Sequence, residues 1–178
     1  MHDTLPPGPP DEIEGELTSP GRDATPVPTL HAWIGGTPPM EALFDRFYEH
    51  VAQDPMLAPI FAHMAPGHAK HVAAFVAEVF GGPTDYSDAY GGHPAMIRKH
   101  LGKHLSEAQR KRWMALLLDT ADEIGVPTDP EFRSALVGYL EWGSRLAVMN
   151  SQPGAVAEEN VPMPKWGWGN VGGPYIEK

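Results

Sequence analysis

Between residues 29 and 150 the large apolar side chains recur three and four positions apart, the spacing of one helix face. No stretch alternates apolar and polar residues with the two-residue period of a strand. Thr37 followed by Pro38 reads as a capped helix start, and the stripe Leu43, Phe44, Phe47, Tyr48, Val51 follows until Asp54-Pro55 stops it. A short helix carries Leu57, Ile60 and Phe61. Pro66 opens the next, whose apolar face is His68, Val72, Phe75, Val76 and Val79, and Gly81-Gly82-Pro83 ends it. The stretch Thr84 to His93 is too polar and glycine-rich to predict a helix. Pro94 begins a short one that brings Met96, Ile97 and His100 to one side. Ser106 and Glu107 start a long helix with the stripe Trp113, Leu116, Leu117, Thr120, Ala121, Ile124, closed by Gly125 and Pro127. Asp129-Pro130 caps the last helix, with Phe132, Leu136, Tyr139, Leu140 and Gly143 on its inner face. Four substantial helices with short connections predict an all-α domain over 29–150.

The flanks differ in composition. Residues 1–28 are rich in Pro, Gly and acidic side chains with few large apolar ones, which predicts a flexible N-terminal extension. Residues 151–178 form a second Pro- and Gly-rich extension, but one carrying Trp166, Trp168 and Tyr175. Those aromatic rings are expected to pack on the domain surface, and a homodimer interface is one place for them. The total of 178 residues fits one domain with appended segments. A net charge of −10 argues against nucleic acid as a partner, because phosphate binding needs clustered cations. No apolar run approaches the roughly 20 residues that cross a bilayer, and the N-terminus has neither the basic start nor the apolar core of a secretory signal. The expectation is a soluble cytoplasmic protein with no membrane partner.

With no cysteine and nine histidines, any transition-metal chemistry rests on imidazole or carboxylate. There is no HExxH pair, no glycine-rich phosphate loop and no GxSxG elbow, so hydrolase and nucleotide-binding readings are weak. His2, His50, His63 and His71 stand in contexts that need no special role. His68 and His100 are different, since each shares a helix face with apolar residues. Two imidazoles aimed from different helices into an apolar space suit an iron porphyrin better than a bare ion, because haem brings four nitrogen ligands of its own. Two core histidines satisfied by backbone carbonyls fit the same pattern equally well.

The segments FDRFYEHVAQDPMLAPIF, FVAEVFGGPTDY and GGHPAMIRKH, with the Trp of QRKRWMALL, resemble the group II truncated haemoglobins in order and spacing over about Ile34 to Asn150. The resemblance implies a two-over-two helical sandwich, a shortened globin, holding haem b. It places the proximal iron ligand on His100 and the distal donors on Tyr48 and Trp113. The distal-helix position facing the iron falls on His68, where many members of that family carry a small residue. Phe61, Val72, Phe75, Val76, Met96 and Ile97 would line the haem pocket. Arg98 and Lys99, flanking His100, are assigned with Tyr86 to the haem propionates, although a solvated basic patch explains the two cations as well.

The implied function is binding of diatomic ligands (O2, NO, CO) at a pentacoordinate iron. A phenol, an indole and an imidazole are all donors that can hold a ligand gaining negative charge. Three such donors suit slow release and redox chemistry, NO dioxygenation or peroxide-dependent oxidation with an electron donor or reductase, above bulk oxygen transport. Two alternatives stand beside this: a non-enzymatic ligand sensor or store whose tails dock a partner, and a six-coordinate electron-transfer haem with His68 as second axial ligand.

Overall fold

The structure is a computed structural model that describes residues 26–169. Most of the N-terminal extension and Tyr175 therefore lie outside the described residues. Among the described residues the chain forms eight helices and no strand: α1 (Leu30–Ile34), α2 (Thr37–Val51), α3 (Ala58–Phe61), α4 (His68–Val79), α5 (Asp85–Tyr90), α6 (Gly92–His100), α7 (Glu107–Glu123) and α8 (Pro130–Asn150). The all-α, two-over-two arrangement expected from the sequence is the one adopted. Helix α2 packs on α4 and α7, and α7 packs on α8. The stripes of these four helices meet in one core that includes Phe44, Phe47, Phe80, Leu117 and Phe132, all buried.

Local chemistry sets the helix ends. Ser106 and Gln109 form a reciprocal capping box that starts α7, and the Asp129 carboxylate accepts from the Phe132 amide at 2.8 Å to start α8. The same carboxylate also accepts from the Trp33 indole N–H at 2.9 Å, tying α8 to the beginning of the domain. Three elements depart from the sequence expectation. Helix α1 was not foreseen; five residues are too few for a periodic stripe, and it rests on the Thr29 hydroxyl at one end and on left-handed Gly35 (φ 102°) at the other. Thr37 does not cap α2: it lies inside the helix, and its hydroxyl bonds the His31 ring at 3.0 Å instead. Helix α5 forms where polarity argued against one. Its side chains are held from outside, by the Glu78 carboxylate on the Ser87 amide (2.9 Å) and by complete burial of Tyr86 against Phe75.

Past α8 the chain folds back over the helices. The Trp166 amide donates to the Val79 carbonyl (2.8 Å) and its indole N–H to the Ala135 carbonyl (3.0 Å). Gly138 makes room for that ring: a Cβ there would sit 3.4 Å from it.

Asp54 closes the turn between α2 and α3 and is 6% exposed. It accepts from the Met56 and Leu57 amides at 3.0 Å each and from Arg112 Nε at 2.6 Å. Burial pushes its carboxyl up, but Arg112 and the two amides outweigh burial and hold it below its ordinary value. Its contribution is present above pH 3.8 and is lost as the pH falls through the lowered folded value. Asp54→Ala is expected to cost about 2 kcal/mol in urea unfolding at neutral pH, since one buried amide, one part-buried amide and a guanidinium lose their acceptor. The gap between the two proteins should narrow in acid.

Candidate functional site

Helices α4, α6, α7 and α8, with α3 at one edge, form a half-open cavity of about 170 Å³ with a mostly apolar wall. Of the residues assigned to a pocket, Phe61, Val72, Phe75, Val76, Met96, Ile97, His100 and Trp113 all line it. The apolar stripes of α4 and α6 explain this directly, because the face that a helix turns to its neighbours is the face on which these residues fall.

His100 is at the last turn of α6. Its Nδ1 donates to the Met96 carbonyl one turn back, at 2.9 Å. That bond selects the tautomer and leaves Nε2 with a free lone pair. Burial lowers the pKa of the ring, opposed by the Met96 carbonyl and reinforced by Lys99 and Lys103, so the imidazole is neutral near pH 7. A neutral imidazole with Nδ1 fixed by a carbonyl is the arrangement that metal-ligating histidines use.

Tyr48 and His68 are not among the residues that line the cavity; they sit together against Phe61. Tyr48 Oη lies 3.1 Å from His68 Nε2, and the Tyr48 and His68 rings stand 5.4 and 6.0 Å from the Phe61 ring. Burial raises the Tyr48 phenol, and a hydrogen bond from the Trp113 indole partly opposes the rise. Trp113 thus connects the pair to the cavity, with its own ring edge-on to Phe47 at 5.3 Å. His68 is pushed down to about 4, first by burial and then by the charges of Lys99, His71 and His100. Three polar side chains from α2, α4 and α7 are thereby linked at one corner of an otherwise apolar space.

Arg98 and Lys99 are exposed on the last turn of α6. Tyr86, assigned with them to the propionates, is instead fully enclosed between Phe75 and Tyr90, with Lys99 Nζ 5.7 Å from its ring centre and its hydroxyl without a hydrogen-bond partner. None of these three lines the cavity. Residues not singled out from the sequence do line it, including His93, Leu105, Arg110 and Trp142, as does Tyr139, read from the sequence only as part of an inner helix face. His93 had a signal, since it stands seven positions before His100 and therefore on the same face of α6. Arg110 had none. It is a buried cation whose charge is balanced by Glu107 and Glu141, at 2.6 Å each.

The donor set fits a porphyrin. Among the described residues no three His, Cys, Asp or Glu side chains gather to hold a bare metal ion. His93 and His100 both line these walls with Nδ1 on a backbone carbonyl, and a group bringing its own equatorial ligands requires only one such imidazole. The bacterial-like globin family matches residues 29–141, well over half of the chain. The chain belongs to the bacterial-like globin family. A group 2 truncated hemoglobin of Bacillus subtilis (strain 168) is 31% identical over 113 residues, covering 64% of this chain and 83% of that protein. The crystal structure of a group II truncated hemoglobin from Bacillus anthracis superposes with a TM-score of 0.63 at 27% identity, covering 70% of this chain and 93% of that one. A truncated oxygen-avid haemoglobin from Bacillus subtilis gives a TM-score of 0.60 at 30% identity, over 68% and 99% of the two chains. The resemblance to group II truncated haemoglobins read from the sequence is borne out. Membership of the family implies a haem and the binding of a diatomic gas such as O2. No helix among the described residues of this globin is long and apolar enough to cross a membrane.

Because His68 is depressed by burial, it gives a direct readout of the site. In the haem-free globin its ring protons should titrate near 4 by NMR, far below the ordinary 6.5. The unfolded chain takes up this proton first, so stability falls as the pH drops from 6.5 towards about 4 and levels off below. A midpoint near 6.5 would mean that the ring is solvated and does not bond Tyr48.

Proposed function

We propose that this globin binds a b-type haem through His100 and retains O2 or another diatomic ligand with donors from Tyr48, Trp113 and His68, the iron being five-coordinate when no ligand is bound. The observation that carries this reading is the His100 ring, neutral and held by the Met96 carbonyl, with Nε2 left free toward an apolar cavity.

Bound haem supplies an open coordination position for the gas and one-electron chemistry on it. The protein supplies everything else. His100 donates its Nε2 lone pair. Phe61, Val72, Phe75 and Val76 exclude water, which strengthens every hydrogen bond made inside. Trp113 donates from the cavity wall, and Tyr48 and His68 reinforce it from beside Phe61, passing a hydrogen bond between them. A ligand that gains negative charge on binding draws those bonds toward itself. Arg98 and Lys99 are the cations for the porphyrin carboxylates.

His68 is read as a donor and not as a second axial ligand. Its Nε2, the atom that would have to reach the iron, is engaged by the Tyr48 hydroxyl. Three linked donors favour slow ligand release, which suits oxidative chemistry on NO or a peroxide more than bulk carriage of O2.

Stopped-flow measurement of O2 release tests the distal assignment. Tyr48→Phe and Trp113→Phe should each speed release about tenfold, the rate equivalent of losing one hydrogen bond to a charged acceptor. His100→Gly should lose the imidazole-ligated spectrum and regain it with added imidazole. Unchanged release in both distal variants would remove the donor argument, and an unchanged spectrum in His100→Gly would remove the ligand assignment.

A further inference from the structure

Of the four longer helices around the cavity, α4, α6, α7 and α8, helix α6, which carries His100, has the fewest buried residues. Only Ile97 among its residues is buried, and no side chain caps its start. Residues in left-handed conformation flank it on both sides. Gly91 and Gly92 precede it in left-handed conformation (φ 88° and 65°), and Gly102 and His104 follow it in the same region (φ 69° and 49°). With one buried side chain, the seating of this helix depends on what holds its two ends. The His100 ring is tied by Nδ1 to the Met96 carbonyl of the same helix, so any rocking of α6 swings Nε2 with it.

The segment after α8 ties down both ends of this helix. Beyond its C-terminal end, the His104 amide donates to the Ser151 carbonyl (3.0 Å) and the Leu105 amide to the Ser151 hydroxyl (2.9 Å). Gln152 Nε2 donates to the Leu105 carbonyl at 3.0 Å, and Ser151 is completely buried. At its N-terminal end, His93 Nδ1 donates to the Pro162 carbonyl at 3.1 Å. Between Ser151 and Pro162 the chain therefore passes from one end of α6 to the other. It is then anchored on other helices: Trp166 bonds the carbonyls of Val79 at the end of α4 and Ala135 on α8, and the Trp168 indole donates to the Pro28 carbonyl at 2.7 Å.

We propose that residues 151–168 are a clamp on the proximal helix, with His93 as its positioning residue, and that the clamp sets how firmly this globin keeps its haem. His93 acts through His100: its hydrogen bond holds the far end of the lever on which the ligand is mounted. The proposal rests on His100 being the haem ligand, and it assigns to the C-terminal segment a role that surface packing alone would not require. Trp166 contributes at a distance. Its indole bond to the Ala135 carbonyl helps fix the place from which the Pro162 carbonyl accepts.

Three full-length variants test it in the haem-loaded protein. His93→Phe keeps a ring and loses the donor, His93→Gln keeps a donor, and Trp166→Phe removes an indole N–H outside the cavity wall. Three readouts apply: haem transfer to excess acceptor apoglobin, hydrogen exchange of the α6 amides, and the iron–imidazole stretch of the ferrous protein. His93→Phe and Trp166→Phe should each raise haem loss and α6 exchange about fivefold and broaden or shift the stretch, whereas His93→Gln should stay within about twofold of the parent. Exchange in α2 and α7 should not change. The clamp is overturned if haem loss and α6 exchange are unaltered in both disrupting variants. It is equally overturned if exchange rises evenly over every helix, since that is loss of bulk stability alone. If the parent shows no imidazole-ligated haem, the ligand assignment has failed instead; α6 exchange in the haem-free protein still reports whether the segment restrains the helix.

Discussion

The hydrogen bond from His100 to the Met96 carbonyl is the constraint on which the site depends. An imidazole ligates iron through a nitrogen that carries no proton, and in proteins the other ring nitrogen is almost always held by a hydrogen bond. Burial secures the first condition and the carbonyl secures the second. Both follow from the placing of His100 one turn beyond Met96 on the apolar face of a helix. The same bond makes the ring an extension of the α6 backbone, so that the position of the helix becomes the position of the ligand. This is why the seating of α6, and the segment that crosses it, bears on the chemistry.

Opposite His100 the problem is reversed. Polar groups must be kept in an apolar space without being left unsatisfied, which would cost about 1–3 kcal/mol each. Tyr48 and His68 solve it by bonding each other across two helices, with the Trp113 indole beside the phenol. The arrangement is stable at rest and available to a ligand, because each group that turns toward the ligand exchanges one hydrogen bond for another. Desolvation keeps the pair uncharged: the phenol is pushed up and the imidazole down, away from neutral pH in both cases. A protonated His68 would be a buried cation, opposed first by burial and then by the Lys99 ammonium.

Much of this was legible before any coordinates. The stripes of α2, α4, α7 and α8 are long enough for their period to identify the buried face, and the caps at Ser106 and Asp129 are local chemistry. What the sequence did not show was held from a distance. Helix α5 depends on Glu78 and on the burial of Tyr86, and the Thr37 hydroxyl was taken by a ring from α1. The wall of the site was readable wherever it lay on an amphipathic stripe. Arg110 was not, since a buried guanidinium is explained only by carboxylates on two helices. The placing of Tyr48 and His68 against Phe61, and not among the residues that line the cavity, is likewise a matter of tertiary geometry that no periodicity encodes.

The account's central claim is that one imidazole, that of His100, holds the iron while His68 stays with Tyr48. The absorption spectrum of the purified, ligand-free ferrous protein tests it most directly. The account predicts a five-coordinate high-spin haem with a single imidazole ligand. A six-coordinate low-spin bis-imidazole spectrum, or a protein that takes up no haem, would contradict it.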